Sequence, residues 1–378
     1  MVIFNMSEEK KGKKVKILDP AQRLLKSMAF LKPDRVPIMF FPEFDLMADF
    51  AGKSVKKYLA DVDLQMENGE RFKERFSGAY CAVSIFQPYA SAQALGCPIS
   101  DPEDEIPAVA GNAIDKSSDV EKLKIPDSAW DVSGTGDWLK KIETSLETGI
   151  KPAGIGEFGP LETAGQVYGY DKLLLDMRKK PDVIHNLIEK CTDFTIMFLS
   201  EWAELIGGFA TIILIADHVS GFLNKKLVNE FFAPYHKKLI TALTPLSGGM
   251  LYHSENRSYH FIDQIGDWGY KIFHGQDWAP KGDLKKTKEI VSNLENKYAL
   301  MGQVPGRDVM LREPDDKVVE RKIIENIQIY GPGSGYILST GGGINRGTPL
   351  HRLDMMIELA DKYGRYKTKK KLINPEEE

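Results

Sequence analysis

The stretch Thr211-Ile212-Ile213-Leu214-Ile215-Ala216-Asp217-His218 is apolar without a break from Ile212 to Ala216 and turns polar at once afterwards. A strand with one wet face alternates apolar and polar residues, so an unbroken run of this length reads as a strand covered on both faces. Residues 224–243 then read as a helix, and residues 250–253 as the next apolar strand. Strand, helix, strand in that order predicts parallel pairing through right-handed crossovers.

Outward from this unit the same rhythm recurs. Further strand-like runs lie at 35–40, 81–86, 153–156, 271–274, 299–304 and 336–339. Helical stretches fall at 54–76, 181–206, 258–265, 284–294, 315–330 and 349–363. Eight apolar strands favour a closed (β/α)₈ TIM barrel over an open sheet. A helix at 20–31, with Asp19 as its cap, is expected as an N-terminal extension. Residues 87–149, rich in Asp, Pro and Ser, break the rhythm and read as an insertion after the second strand, able to fold over the barrel mouth.

The chain has 378 residues, 42% of them hydrophobic, which suffices for one large core. A single barrel domain is expected over 19–366, with a disordered basic tail at 1–18 and a second tail at 367–378. A net charge of -4 argues against nucleic-acid binding through a dense basic surface. No window approaches the roughly 18 apolar residues of a spanning helix, so no membrane association is expected. The N-terminus lacks the features of a signal peptide, and Cys81, Cys97 and Cys191 are scattered. A cytoplasmic setting is the expectation.

In such a barrel the chemistry sits at the C-terminal ends of the strands. His218, His253 and His274 each follow directly on one of three successive apolar strands. Residues two apart on a strand point the same way, so His253 and Glu255 should project together, either as zinc ligands or as a hydrogen-bonded pair closing the strand. Asp217 and His218 offer an acid and an imidazole, although Asp217 could equally cap the next loop. Glu157 and Glu162 flank a glycine-rich turn and read as acid-base groups or as helix caps. The glycines at 339–343 would let a large cofactor or partner approach the backbone closely.

Several stretches carry a resemblance to a known family. They are Leu31-Lys32-Pro33-Asp34-Arg35-Val36-Pro37-Ile38, Leu95-Gly96, Pro234-Tyr235, Tyr252-His253-Ser254, Gly302-Gln303-Val304, and Gly335-Tyr336-Ile337-Leu338 through Thr348-Pro349-Leu350. In this order they resemble the uroporphyrinogen-decarboxylase superfamily, which implies the same barrel. The decarboxylases of that superfamily hold polycarboxylates with an arginine-rich segment after the first strand. Here that place reads Met39-Phe40-Phe41-Pro42-Glu43-Phe44-Asp45, with two acids and no arginine, and it would repel a polyacid.

The other branch, of methylcobamide:coenzyme M methyltransferases, holds zinc with a His-x-Cys and a second Cys after the last strand. The resemblance carries the histidine to His253, while Glu255 and Gly342 stand where the cysteines would be. A carboxylate leaves zinc a harder Lewis acid than thiolates do, which turns the expectation from thiol transfer to an oxygen-bound methyl. The expected activity is O-demethylation of a methoxylated aromatic compound, the methyl passing to the Co(I) corrinoid of a separate partner protein. His253 and Glu255 would bind zinc, with a third ligand from His274, Asp217 or Glu157. Asp217, His218 and Glu157 are the acid-base candidates, and Tyr252, Phe273, Trp278 and Gln276 the candidate substrate contacts. Three alternatives stay open: a coenzyme M-like thiol methyltransferase, a metal-free decarboxylase that uses Asp217 or Glu157, and a non-enzymatic scaffold for a corrinoid protein. Formation of a homodimer is also open.

Overall fold

A computed structural model describes residues 17–81, 89–147, 149, 154–275, 283–333 and 335–366. The tails expected at 1–18 and 367–378 fall outside the described residues except for positions 17 and 18, and so does most of the strand expected at 81–86.

Eight strands follow in order: β1 Met39–Phe40, β2 Tyr80–Cys81, β3 Gly154–Phe158, β4 Ile212–Ala216, β5 Met250–Ser254, β6 Ile272–Gly275, β7 Ala299–Val304 and β8 Tyr336–Thr340. β3 to β8 pair consecutively and in parallel. β1 pairs in parallel with β2, and the parallel bridges Ile38–Leu338 and Pro42–Ile344 join the first strand to the last. The fold is the (β/α)₈ TIM barrel.

Strand parity sorts the side chains. Met39, Ile212, Leu251, Ile272, Ala299, Met301 and Ile337 form one apolar cluster, which fills the barrel. Their neighbours Ile213, Ile215, Met250, Tyr252, Phe273 and Leu300 pack into the core between strands and helices. Both faces of each strand are therefore dry, as the unbroken apolar runs require.

The helices depart from the expected spans where the backbone chemistry demands it. The N-terminal helix Pro20–Met28 starts on a capping box of Asp19 and Gln22 and stops short of residue 31. The span 54–76 divides into Val55–Ala60 and Val62–Arg75, because Asp61 accepts from the Leu64 N–H at 2.9 Å and opens a second helix. The span 224–243 divides at Phe232, since Pro234 cannot donate and fits only a first turn. The span 258–265 is turn rather than helix over 259–264, and a short helix Ile265–Trp268 begins at its last residue. Helix Pro160–Tyr168 forms where Glu162 had read as capping a helix, and Glu162 lies in its first turn, whereas helices Phe44–Ala51, Tyr170–Lys179 and, inside the insertion, Thr135–Leu146 were not evident in the sequence. Among the described residues, no helix is long and apolar enough to cross a membrane.

Candidate active site

A cavity opens at the C-terminal ends of the strands. Its walls are largely aromatic and apolar: Phe41, Pro42, Phe44, Met47, Tyr58, Tyr89, Ile106, Phe158, Leu214 and Ala216. Its ionisable lining among the described residues, tyrosines aside, is Glu43, His218, His253 and Glu255. Tyr89 holds a left-handed φ of 62°, rare outside glycine, and stacks on Phe158 with ring centroids 5.0 Å apart.

β5 delivers His253 and Glu255. Leu251 lies inside the barrel, so His253 and then Glu255 follow it on the same face, and His253 Nε2 stands 3.9 Å from Glu255 Oε1. The imidazole is buried and held well below its ordinary pKa, first by desolvation and then by the neighbouring His274 and His218. It is therefore neutral and keeps a lone pair for an electrophile or a metal. Its Nδ1 makes no hydrogen bond of normal geometry.

Glu43 is the residue that sequence reasoning missed. Counting by twos from the inward Met39 passes through Phe41 to Glu43, so strand parity was the available signal. Its carboxyl is pushed up to about 8, first by burial, then by repulsion from Glu255 and Asp45. The two glutamates flank the Gly342-Gly343 backbone: a Cβ on Gly342 would run into the Glu255 carboxylate, and one on Gly343 into that of Glu43. A side chain at either position would displace the glutamate beside it.

His218 follows β4. Its backbone N–H donates to Glu162 Oε2 at 2.9 Å, and its carbonyl accepts from Asn256 Nδ2 at 2.9 Å. Its Nδ1 accepts the Glu255 backbone N–H at 3.2 Å. With Nδ1 accepting, the ring N–H falls on Nε2, which is a donor in the cavity wall.

The remaining candidates are placed differently. His274 donates Nε2–H to the Thr340 carbonyl at 2.8 Å, with its ring centroid 4.7 Å from that of His253. Burial lowers its pKa to about 4. Among the described residues, no three His, Cys, Asp or Glu side chains are grouped to hold a metal ion, so His253, Glu255 and His274 do not form a ready-made set. Asp217 points outward from the barrel, fully buried. Its Oδ2 accepts the Leu161 and Glu162 N–H groups at 3.1 Å each, at the start of helix Pro160–Tyr168, and lies 3.4 Å from His236 Nε2. Burial raises it to about 7 against those hydrogen bonds. Glu157 also faces the helix layer, where it accepts the Phe158 N–H at 2.9 Å and is raised to about 8 by burial. Neither carboxylate lines the cavity.

Tyr252 and Phe273 require the same correction. Each precedes an inward histidine and so points the opposite way, and their rings stack 5.5 Å apart in the helix-facing core. Tyr252 OH donates to the Asp217 carbonyl at 3.0 Å. Phe41, Phe44, Tyr89 and Phe158 occupy the lining role instead. Gln276 and Trp278 lie outside the described residues.

His253, Glu255 and Glu43 share the cavity as one imidazole nitrogen and two carboxylates, donor types that suit a divalent cation of zinc's hardness, but like the set with His274 they are not grouped closely enough to form a ready-made metal site. Burial first, and the nearby Glu255 second, keep Glu43 protonated, and a cation beside the two carboxylates would offset both.

Comparison with known proteins places these features. The family model described as Uroporphyrinogen decarboxylase (URO-D) matches residues 19–363. A uroporphyrinogen decarboxylase of Coxiella burnetii is 23% identical over 190 residues, 49% of this chain and 49% of the relative. The chain thus matches about half the length of that protein. One from Photorhabdus laumondii is 24% identical over 260 residues, covering 65% and 68% of the two chains. Among solved structures, a methyltransferase from Methanosarcina mazei superposes with a TM-score of 0.72 at 20% identity, covering 91% of this chain and 98% of that one. At that identity the likeness speaks for the fold.

Proposed function

The chain belongs to the uroporphyrinogen decarboxylase family, and within it we propose a methyltransferase that moves a methyl group from an O-methyl donor, foremost a methoxylated aromatic compound, to the Co(I) corrinoid of a partner protein. The observation that carries this reading is the convergence of a neutral His253 with Glu255 beside Gly342, at the end of a cavity walled by aromatic rings. Aromatic walls favour a flat apolar substrate. Two acids, and no arginine or lysine among the described lining residues, disfavour a polycarboxylate.

His253, Glu255 and Glu43 would have to draw closer together than they stand to hold zinc, which when bound supplies Lewis acidity toward an ether oxygen. The protein's own groups do the rest. Phe41, Phe44, Tyr89 and Phe158 bind the ring and keep water from it. His218, its Nδ1 engaged by the Glu255 N–H, presents Nε2–H to the oxygen that gains charge as the methyl leaves. The open mouth above the strand ends is where a corrinoid protein would dock.

The test is metal analysis of wild type beside His253→Ala and Glu255→Ala, followed by methylation of a Co(I) corrinoid protein with methoxylated aromatics. About one zinc per chain, lost in both variants, together with turnover, supports the reading. A chain that takes up no zinc on titration overturns its Lewis-acid step. One observation favours a second reading, metal-free decarboxylation of a small substrate: Glu43, protonated up to about pH 8, is an acid inside the cavity. Asp217 and Glu157, the expected groups for that chemistry, face away from it.

A further inference from the structure

Between the helix Ala90–Ala94 and the buried Ile114, the insertion runs as a narrow hairpin. Ile99 and Val109 bridge in antiparallel fashion, and the bonds Ser100 N–H to Ala108 O and Ala110 N–H to Pro98 O, each 2.8 Å, zip its base. Ile99 and Val109 also pack against the main core, so the base is anchored. The tip is of another kind. Asp101-Pro102-Glu103-Asp104-Glu105-Ile106 is acidic except for Pro102 and Ile106, and Ile106 is the tip residue that enters the cavity wall.

Polar contacts hold this tip down. Arg346, just beyond the glycines that follow β8, reaches Asp104 Oδ1 at 3.0 Å and Asp49 of helix Phe44–Ala51 at 2.9 Å. Asp104 Oδ1 also accepts the Val55 N–H at 3.1 Å, Glu103 Oε1 accepts from Ser54 Oγ at 2.7 Å, and Lys56 pairs with Asp101. These groups are partly or fully solvent-exposed, and ion pairs of that sort contribute little net stability and are screened by salt. An anchored base and a lightly held tip make a lever. Arg346 joins its three parts: the tip, the helix Phe44–Ala51 that contributes Met47 to the cavity, and the loop that carries Gly342 and Gly343.

We propose that the hairpin at 98–110 is a movable wall of the cavity, with Ile106 as the residue that sets the size of substrate admitted and Arg346 as its latch. The proposal rests on reading the cavity as the site for an aromatic ether, and it adds which residue measures that ether and how the ether enters. Opening exchanges these ion pairs and the hydrogen bonds from Ser54, Val55 and the Lys56 N–H for water, and closure seats an apolar side chain against the bound ring.

The experiment measures binding and hydrogen exchange on the full chain, without methyl transfer. Calorimetric titration with methoxybenzene and with 4-propylmethoxybenzene compares wild type with Ile106→Ala. The expected result is a preference that moves toward the bulkier probe by about tenfold in the variant. Equal change for both probes overturns the sizing role. Arg346→Met is expected to lose amide protection across 99–109 while the barrel strands keep theirs, with Arg346→Lys partly restoring it, and high salt is expected to act on wild type in the same way. Unchanged protection in the Met variant and in high salt overturns the latch. Should Arg346→Met not fold, Asp104→Asn in the same exchange measurement decides. If neither probe binds wild type or variant, the aromatic-ether reading and the sizing role fall together, while the exchange result still judges the latch.

Discussion

The carboxylate of Glu255 lies in the space that a side chain at Gly342 would have to occupy. By the family resemblance, Gly342 is also where a thiolate ligand would stand. Glu255, just past β5, fills the space beside Gly342, so the two positions are coupled sterically although one of them has no side chain. Gly342→Ala should push Glu255 away from His253 and weaken zinc binding by about ten- to a hundredfold, the range seen when a ligand's surroundings are disturbed. Competition against a chelator measures it. Wild-type affinity in the variant would separate Glu255 from any role as ligand.

Tyr252 stands beside His253 in sequence and on the opposite face in the fold. Its hydroxyl bonds the Asp217 carbonyl and Ser220 Oγ within the helix-facing core. Tyr252→Phe should therefore cost about 1 kcal/mol in denaturant unfolding and leave binding of methoxylated aromatics unchanged. Phe158→Ala, in the cavity wall, should reverse the pattern by weakening binding markedly. Loss of binding in Tyr252→Phe would restore that ring to the substrate site.

These contrasts show which features the sequence disclosed. The run from Ile212 to Ala216 revealed a doubly buried strand because nothing polar interrupts it, and eight such runs suffice for the barrel. Parity along β5 brought His253 and Glu255 together. The same parity, carried one residue further, turns Tyr252 and Phe273 outward and Glu43 inward, but aromatic character and the lack of an arginine drew attention first. Asp217 was ambiguous, because an acid at a strand end can serve a substrate or the next helix, and only the position of the Leu161 and Glu162 N–H groups decides. The meeting of Arg346 with Asp49 and Asp104 joins three distant segments through flexible side chains, and no local pattern announces it.

Asp217 receives two N–H groups that the start of helix Pro160–Tyr168 leaves without helical partners. Asp217→Ala should lower stability by roughly 2 to 4 kcal/mol, the sum of a lost cap and buried donors left unpaired. Asp217→Asn, which keeps an acceptor oxygen, should recover a substantial part of that loss. Equilibrium unfolding of the three proteins checks the order. Equal losses in both variants would mean that the charge matters rather than the cap.

Glu157 gives the pH dependence of stability a definite sign. Burial raises its carboxyl from an ordinary 4.5 to about 8. Between those values the folded state keeps a proton that the unfolded state has released. Its contribution is thus fully present below about pH 4.5 and is lost as pH rises toward 8, at about 1.4 kcal/mol per pH unit. Glutamine keeps the shape and never ionises, so Glu157→Gln should remove this slope. Thermal unfolding at pH 6 and pH 8.5 is the measurement: the melting temperature of wild type should fall further across that interval than that of the variant, and the variant should be the more stable protein at pH 8.5. Parallel curves would show that Glu157 is already ionised at neutral pH in the folded barrel, held there by hydrogen bonding strong enough to outweigh its burial.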